Sequence, residues 1–183
     1  MPILPALLAA SQLMSLPAPS SQTCAAIDVI APEQRRATRK RSFSAARTLD
    51  LELRARMRTR SDLAGDHVLR LKLFTPRGYL YQEITVPFYS DPPRRWWSRR
   101  DSKDEVEAFE PTRSVPGFAQ PLSVQKTRHV WKGRKRYDQV SARLPVAGTS
   151  ITLGSLFGRW TVVPYLDEQA APCGRSRRFV IRK

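Results

Sequence analysis

From residue 49 onward, apolar and polar side chains alternate at period two in several separate stretches. In LDLELRARMRTR, Leu49, Leu51, Leu53, Ala55, Met57 and Thr59 alternate with Asp50, Glu52, Arg54, Arg56, Arg58 and Arg60. Alternate residues share a side only in an extended chain, so the spacing predicts a half-buried strand, one face on a core and one in water. A helix would scatter the leucines around its circumference. Leu69, Leu71 and Leu73 next alternate with Arg70, Lys72 and Phe74, and Thr75-Pro76-Arg77-Gly78 reads as a turn. There Pro presets φ and Gly admits a positive φ. Leu80, Ile84, Val86 and Phe88 then fall on one side, with Tyr79, Tyr81 and Thr85 on the other, so residues 67–88 read as a hairpin.

Between Tyr89 and about Pro121 the alternation stops, and Pro92, Pro93, Pro111, Pro116 and Pro121 punctuate the chain. Strand texture returns faintly at Leu122–Trp131 and firmly with Val140, Ala142, Leu144 and Val146. Trp160, Val162, Pro164 and Leu166 alternate with Thr161, Val163 and Tyr165, and Phe179 and Ile181 alternate with Arg178, Val180 and Arg182. Pro164 cannot donate to a ladder, which predicts a free edge or a bulge there. No apolar stripe of period 3.6 appears in 48–183.

The first 34 residues carry no Lys or Arg. Ile3, Leu4, Leu7, Leu8, Leu13, Met14 and Leu16 form a short apolar stretch, and Ala18-Pro19-Ser20 has the small-x-small form of a signal-peptidase site, so the segment resembles a secretory signal. It lacks the basic n-region, and Ser11-Gln12 interrupt its apolar run; a flexible leader is the alternative. Residues 35–47 are rich in Arg and Ser, acid-free and unpatterned, and read as a basic disordered tail. The expected organisation is therefore a leader over 1–34, a tail over 35–47 and one β domain over 48–183, with a long irregular insertion at about 89–136.

Six or seven short strands with almost no helix predict an all-β sandwich or barrel. The stretch GTSITLGSLFGRWTVVPYLDEQ, with RRFVI after it, resembles the last two strands of bacterial immunoglobulin-like or macroglobulin-like sandwich modules, in which a Gly-x-Trp strand opens the closing hairpin and a Phe-x-Ile strand ends it. The resemblance covers about 148–182, with the 67–88 hairpin as an earlier pair. It implies an immunoglobulin-like antiparallel β-sandwich with a binding or spacer role and contributes no catalytic residue.

Charge alters this picture. The 183 residues hold 32 Lys+Arg against 16 Asp+Glu, a formal +16, and 25 of the 32 are Arg. Arginine forks suit phosphate, sulfate and carboxylate, although GC-rich codon usage also enriches arginine. The distribution is more telling than the total. Residues 35–60 have ten basic and two acidic side chains, and 126–136 have six basic (Lys126, Arg128, Lys132, Arg134, Lys135, Arg136) and no acid. Arg54, Arg56, Arg58 and Arg60 would form a row on the solvent face of one strand, about 6.6–6.8 Å apart. Trp131 inside the second cluster offers a stacking surface, and RRWWSRR at 94–100 repeats the theme. These residues are the candidate polyanion site; charges that merely guard an exposed strand against edge pairing are the competing explanation.

Catalytic and metal signatures are sparse. His67 and His129 have no Cys or carboxylate at ligand spacing, and no nucleophile elbow, P-loop, dinucleotide-binding glycine pattern or HExxH occurs. Asp101, Asp104, Glu105, Glu107 and Glu110 lack the Asp-x-Asp-x-Asp-Gly spacing of a calcium loop and sit among six basic residues. No enzyme, metal or cofactor is expected. Cys24 and Cys173 would pair only in an oxidising compartment. No apolar run approaches the 20 or so residues of a spanning helix. The reading is a secreted or periplasmic, non-enzymatic module for a protein, glycan or envelope surface. The alternative is a cytoplasmic polyanion or nucleic-acid binder using Arg54–Arg60, Lys126–Arg136 and Trp131.

Overall fold

In a computed structural model, residues 23–33, 41–58, 63–91, 112–113, 120 and 122–183 are described. Twelve strands form among the described residues. They are β1 (Cys24–Ile30), β2 (Ser42–Ser44), β3 (Asp50–Arg58), β4 (Gly65–Phe74), β5 (Leu80–Ser90), β6 (Thr112–Arg113), β7 (Leu122–Ser123), β8 (Gln125–Lys126), β9 (Arg128–Lys132), β10 (Lys135–Pro145), β11 (Gly158–Leu166) and β12 (Arg177–Arg182). One helical turn, α1 (Ser150–Leu153), lies between β10 and β11, and a 3-10 turn at Ala45–Arg47 precedes β3. The protein is all-β. A four-stranded sheet ordered β1-β3-β10-β9 packs on a six-stranded sheet ordered β2-β12-β11-β4-β5-β8, and β6 pairs with β7 alone.

The alternation read from the sequence decides which sides meet. Leu51, Leu53, Ala55 and Met57 of β3 are fully buried against Leu69, Leu71 and Leu73 of β4 and Trp160 and Val162 of β11, all within one core. Each buried aliphatic side chain contributes about 1.5–3 kcal/mol, so β3 and β4 alone supply a large part of the driving force. Trp160 stacks on Phe179 at 6.4 Å, meets Tyr81 edge-on at 5.1 Å, and donates Nε1–H to the Leu156 carbonyl at 2.9 Å. A buried indole must find an acceptor, and the turn leading into β11 supplies it.

Several expectations are corrected. Residues 24–30 are a strand rather than leader: Cys24, Ile27, Val29 and Ala31 are buried, and β1 runs antiparallel to β3 with Val29 opposite Leu53. The segment 42–47, expected as disordered tail, forms β2 and the 3-10 turn, with Phe43 and Ala45 buried. The β domain thus takes in residues on the N-terminal side of 48. The insertion is narrower than 89–136, because β5 continues to Ser90 and the strands β7 to β10 follow one another from Leu122. The sheets are not purely antiparallel either, since β2 runs parallel to β12 and β8 parallel to β5. Tyr81 faces the core rather than solvent. A bulge makes it the extra residue between the Leu73–Gln82 and Phe74–Leu80 pairs, which turns its ring inward. At Pro164 the ladder to β12 has already ended at Val162, and the Pro164 carbonyl accepts from Cys173 N–H at 3.0 Å.

Cys24 and Cys173 form a disulfide between β1 and the loop after β11, tying the two sheets together at one end. Backbone bonds accompany it: Cys24 N–H donates to the Cys173 carbonyl at 2.8 Å. Gly174 lies so close that an added Cβ would sit 2.1 Å from the Cys24 carbonyl oxygen, so only glycine fits. His67 and Asp167 clasp the same end of the six-stranded sheet. Asp167 Oδ2 meets His67 Nδ1 at 3.0 Å and Oδ1 accepts from Val68 N–H at 2.9 Å. The hydrogen bond to Asp167 is the main reason His67 titrates above the ordinary imidazole range. Burial pushes Asp167 up, but the bonds from His67 and Val68 outweigh it and hold the carboxyl below its usual value.

A cationic face on the four-stranded sheet

Because Leu51, Leu53, Ala55 and Met57 point into the core, the intervening residues of β3 must point out. The β3–β10 register sets Tyr137 opposite Arg58, Gln139 opposite Arg56, Ser141 opposite Arg54 and Arg143 opposite Glu52. The β10–β9 register then sets Lys132 opposite Lys135, Val130 opposite Tyr137 and Arg128 opposite Gln139. These residues share one parity and therefore one face. The two basic segments, some 70 residues apart in sequence, converge there. The face carries Arg54, Arg56, Arg58, Arg128, Lys132, Lys135 and Arg143 against Asp28, Asp50 and Glu52, seven cations to three carboxylates.

The charges are sorted along the strands. Arg54 reaches Glu52 at 2.6 Å, and Arg56, only 16% exposed, reaches Asp28 at 2.7 Å. Glu52 is held below the usual carboxylate range first by its hydrogen bond from Arg54, against burial, with help from Ser141 and Arg143. Arg54 is in turn raised, mainly by the Glu52 hydrogen bond. Toward the β9–β10 hairpin, no carboxylate among the described residues pairs with Arg58, Arg128, Lys132 or Lys135, and all four are exposed. Adjacent strands lie about 4.8 Å apart and alternate residues about 6.7 Å apart, so these four cations occupy a patch roughly 14 Å in its longest dimension.

The remaining sequence candidates separate from this patch. Lys126 lies on β8 in the other sheet, 3.6 Å from Asp91. Arg134 stands exposed in the β9–β10 turn beside Gly133, whose φ of +61° the tight reversal requires. Trp131 and Arg136 pair across β9 and β10 with the opposite parity and face away from the cation row. Trp131 is 70% exposed but cannot stack on a ligand lying over Arg58 and Arg128. Arg60, the RRWWSRR stretch and the acidic group 101–110 lie outside the described residues. Arg143 was not a candidate from sequence, although it follows from continuing the alternation backward from Leu144.

Behind the patch runs a hydrogen-bonded chain that sequence spacing concealed. Asp138, fully buried on β10, accepts from Ser90 Oγ at 3.0 Å and meets His129 Nδ1 at 2.7 Å. His129 Nε2 lies 2.8 Å from Arg136 Nη2. A guanidinium can only donate, so Nε2 must accept and His129 carries its proton on Nδ1. The serine lies on the carboxylate rather than on the imidazole, so this is not the order in which a base activates a nucleophile. Its effect is to bridge the two sheets and stiffen the hairpin that bears the patch. Among the described residues no group of three or more His, Cys, Asp or Glu could hold a metal ion, and no helix is long and apolar enough to cross a membrane. Comparison of the chain with protein-family models, with curated proteins and with solved structures finds no match.

Proposed function

We propose that this chain is an exported, non-enzymatic β-sandwich module of immunoglobulin-like arrangement, and that its partner is a polyanionic surface such as an acidic glycan of a cell envelope. The observation that carries the reading is the β3–β10–β9 register, which gathers Arg58, Arg128, Lys132 and Lys135 on one solvent face without a pairing carboxylate among the described residues. Arg128 and Lys132 lie on the edge strand β9, where cations also guard against edge pairing, but Arg58 and Lys135 belong to the interior strands β3 and β10, which need no such guard. The strand order supports the immunoglobulin-like part. With β1, β3, β4, β5, β9, β10, β11 and β12 as A, B, C, C′, D, E, F and G, the sheets become A-B-E-D and G-F-C-C′. Trp160 near the start of F bonds back to the Leu156 carbonyl, as a tyrosine hydroxyl does at that corner of immunoglobulin domains. The chain departs from that pattern in its disulfide, which joins A to the F–G loop instead of B to F, and in placing its buried Trp on F. The disulfide supports export, because such bonds persist in oxidising compartments.

Heparin retention tests the ligand class. Binding should weaken steeply with salt, as counterion release requires. Arg58→Ser, Arg128→Ser, Lys132→Ser and Lys135→Ser together should abolish retention near physiological salt, whereas Arg54→Ser, whose guanidinium is occupied by Glu52, should change it little. No retention at low salt, or equal effects of all five substitutions, would sink the reading. The opposite facing of Trp131 favours backbone-charge recognition over base stacking, so single-stranded nucleic acid should show no advantage over heparin.

A further inference from the structure

The opposite end of the sandwich differs from the hairpin end in kind. Among the described residues five large apolar side chains are exposed, and four of them, Leu49, Tyr79, Leu80 and Leu153, lie at this end. Backbone and side-chain contacts gather their loops. The Leu49 carbonyl accepts from Val146 N–H at 2.8 Å and from Ala147 N–H at 3.1 Å. Tyr81 on the β4–β5 hairpin bonds Ser150 of α1 at 2.8 Å. Pro76 in the hairpin turn packs on Gly158, where an added Cβ would come within 2.9 Å. Leu153 closes α1 and is 81% exposed. Nothing in the core explains these four positions, since each is adjacent to a residue that does pack inward or turn the chain.

Cations border the apolar tips. Arg77 is in the same turn as Tyr79, Arg47 is two residues before Leu49, Arg159 follows Gly158, and Arg182 ends β12 beyond the Gly158–Ile181 pair; all four are exposed. The acids placed here among the described residues are Glu33 and Asp50, the first accepting from Asp50 N–H at 3.3 Å. We infer that this end docks on an anionic lipid bilayer, with Tyr79, Leu80 and Leu153 entering the headgroup–acyl boundary and the arginines meeting lipid phosphates. Only a bilayer surface offers both halves of the match, a broad apolar layer beneath a plane of negative charge, to side chains on separate loops. A second copy of the chain would supply apolar tips but would bring four more arginines against the first four.

Vesicle co-sedimentation and fluorescence decide it. The outer-face variant carrying Arg58→Ser, Arg128→Ser, Lys132→Ser and Lys135→Ser serves as background, so that the cationic face contributes nothing and failure of the previous reading is scored separately. It should partition onto phosphatidylcholine vesicles containing 30 mol% phosphatidylglycerol and not onto pure phosphatidylcholine. Adding Leu80→Ser and Leu153→Ser should weaken partitioning about tenfold or more, since each leucine loses a burial of about that value. Their unfolding midpoint should match the background, because both side chains already face solvent. Leu80→Trp, read as a difference spectrum against the background protein, should shift its emission to the blue when anionic vesicles are added. An unshifted Leu80→Trp emission, partitioning indifferent to the leucines, or a dimer in sedimentation velocity that the leucine substitutions return to monomer would overturn the inference.

Discussion

Breaking the Cys24–Cys173 bond should be the most damaging single chemical change available to this fold. The bond spans a sequence separation of 149 residues, so it closes most of the described chain into one loop. In the chain-entropy treatment, a loop of that length restricts the unfolded ensemble by about 5 kcal/mol at 25 °C. Total stabilities of domains of this size are about 5–15 kcal/mol, so loss of the bond brings the protein near its unfolding threshold. Native packing adds to the cost, because both sulfurs are buried and Gly174 is pressed against the Cys24 carbonyl. The perturbation is the double variant Cys24→Ser and Cys173→Ser, which avoids free-thiol chemistry. Urea unfolding followed by tryptophan fluorescence should show a lower midpoint and a steeper dependence on urea, since an uncrosslinked chain exposes more surface on unfolding. In a thermal scan the transition should fall by about 10–20 °C. Thiol titration of the wild-type protein under native and denaturing conditions supplies the control, with no free thiol expected. Two reactive thiols, or a double variant with an unchanged urea midpoint, would show that the bond does not hold this fold together.

Gly174→Ala should destabilise by about 1–3 kcal/mol, because the new methyl would fall 2.1 Å from the Cys24 carbonyl and the loop must move away from β1; the urea midpoint checks it, and an unchanged midpoint contradicts the close approach. The His67–Asp167 clasp imposes a pH dependence with opposite signs at its two ends. His67 has a raised folded pKa, so its contribution is complete below the ordinary imidazole value and is lost as pH rises through the folded one; Asp167, with a lowered pKa, contributes above its ordinary value and loses that as pH falls through the folded one. Wild-type protein should therefore lose more stability between pH 6 and pH 9 than His67→Gln, and parallel curves would remove the clasp from the account. Asp138→Ala should cost about 1–3 kcal/mol, because the buried Ser90 hydroxyl loses its acceptor; heteronuclear NMR should also show His129 released from its Nδ1–H tautomer in the variant.

Where one strand buries one face, alternation alone was enough to read the fold. Leu51, Leu53, Ala55 and Met57 and the Leu69-Leu71-Leu73 series lie where their period placed them, because β3 and β4 are interior strands whose inner side chains have no other place to go, whereas Leu49, just ahead of β3, is exposed instead of buried with them. Two kinds of segment escaped. CAAIDVI has the same alternation in miniature, but its neighbours resemble a signal, and its strand character comes from pairing with β3 and from a bond to Cys173 that no local pattern encodes. The Tyr81 ring went to the wrong side because a bulge is a property of two strands together, and one strand's sequence does not reveal the extra residue.

The cationic face shows the same division more sharply. That Arg54, Arg56 and Arg58 face water follows from Leu53, Ala55 and Met57 facing the core, since a pleated strand cannot bury one set without presenting the other. Which charges they would meet depends on register. Slipping β10 by one residue against β3 would turn Val140, Ala142 and Leu144 outward and remove Arg143 from the face. The cost of exposing those three side chains, about 1.5–3 kcal/mol for each of the larger two, therefore locks the surface chemistry to the core packing. Pairing then selects among the cations. Asp28 and Glu52 occupy Arg56 and Arg54, so the residues most conspicuous in the sequence are the ones least free to bind. Arg58, Arg128, Lys132 and Lys135, drawn from three strands, are left facing solvent with no pairing carboxylate among the described residues. A cationic surface of this kind is a by-product of the same hydrophobic register that folds the sandwich, and substitutions that weaken the register should disperse the charge cluster as well.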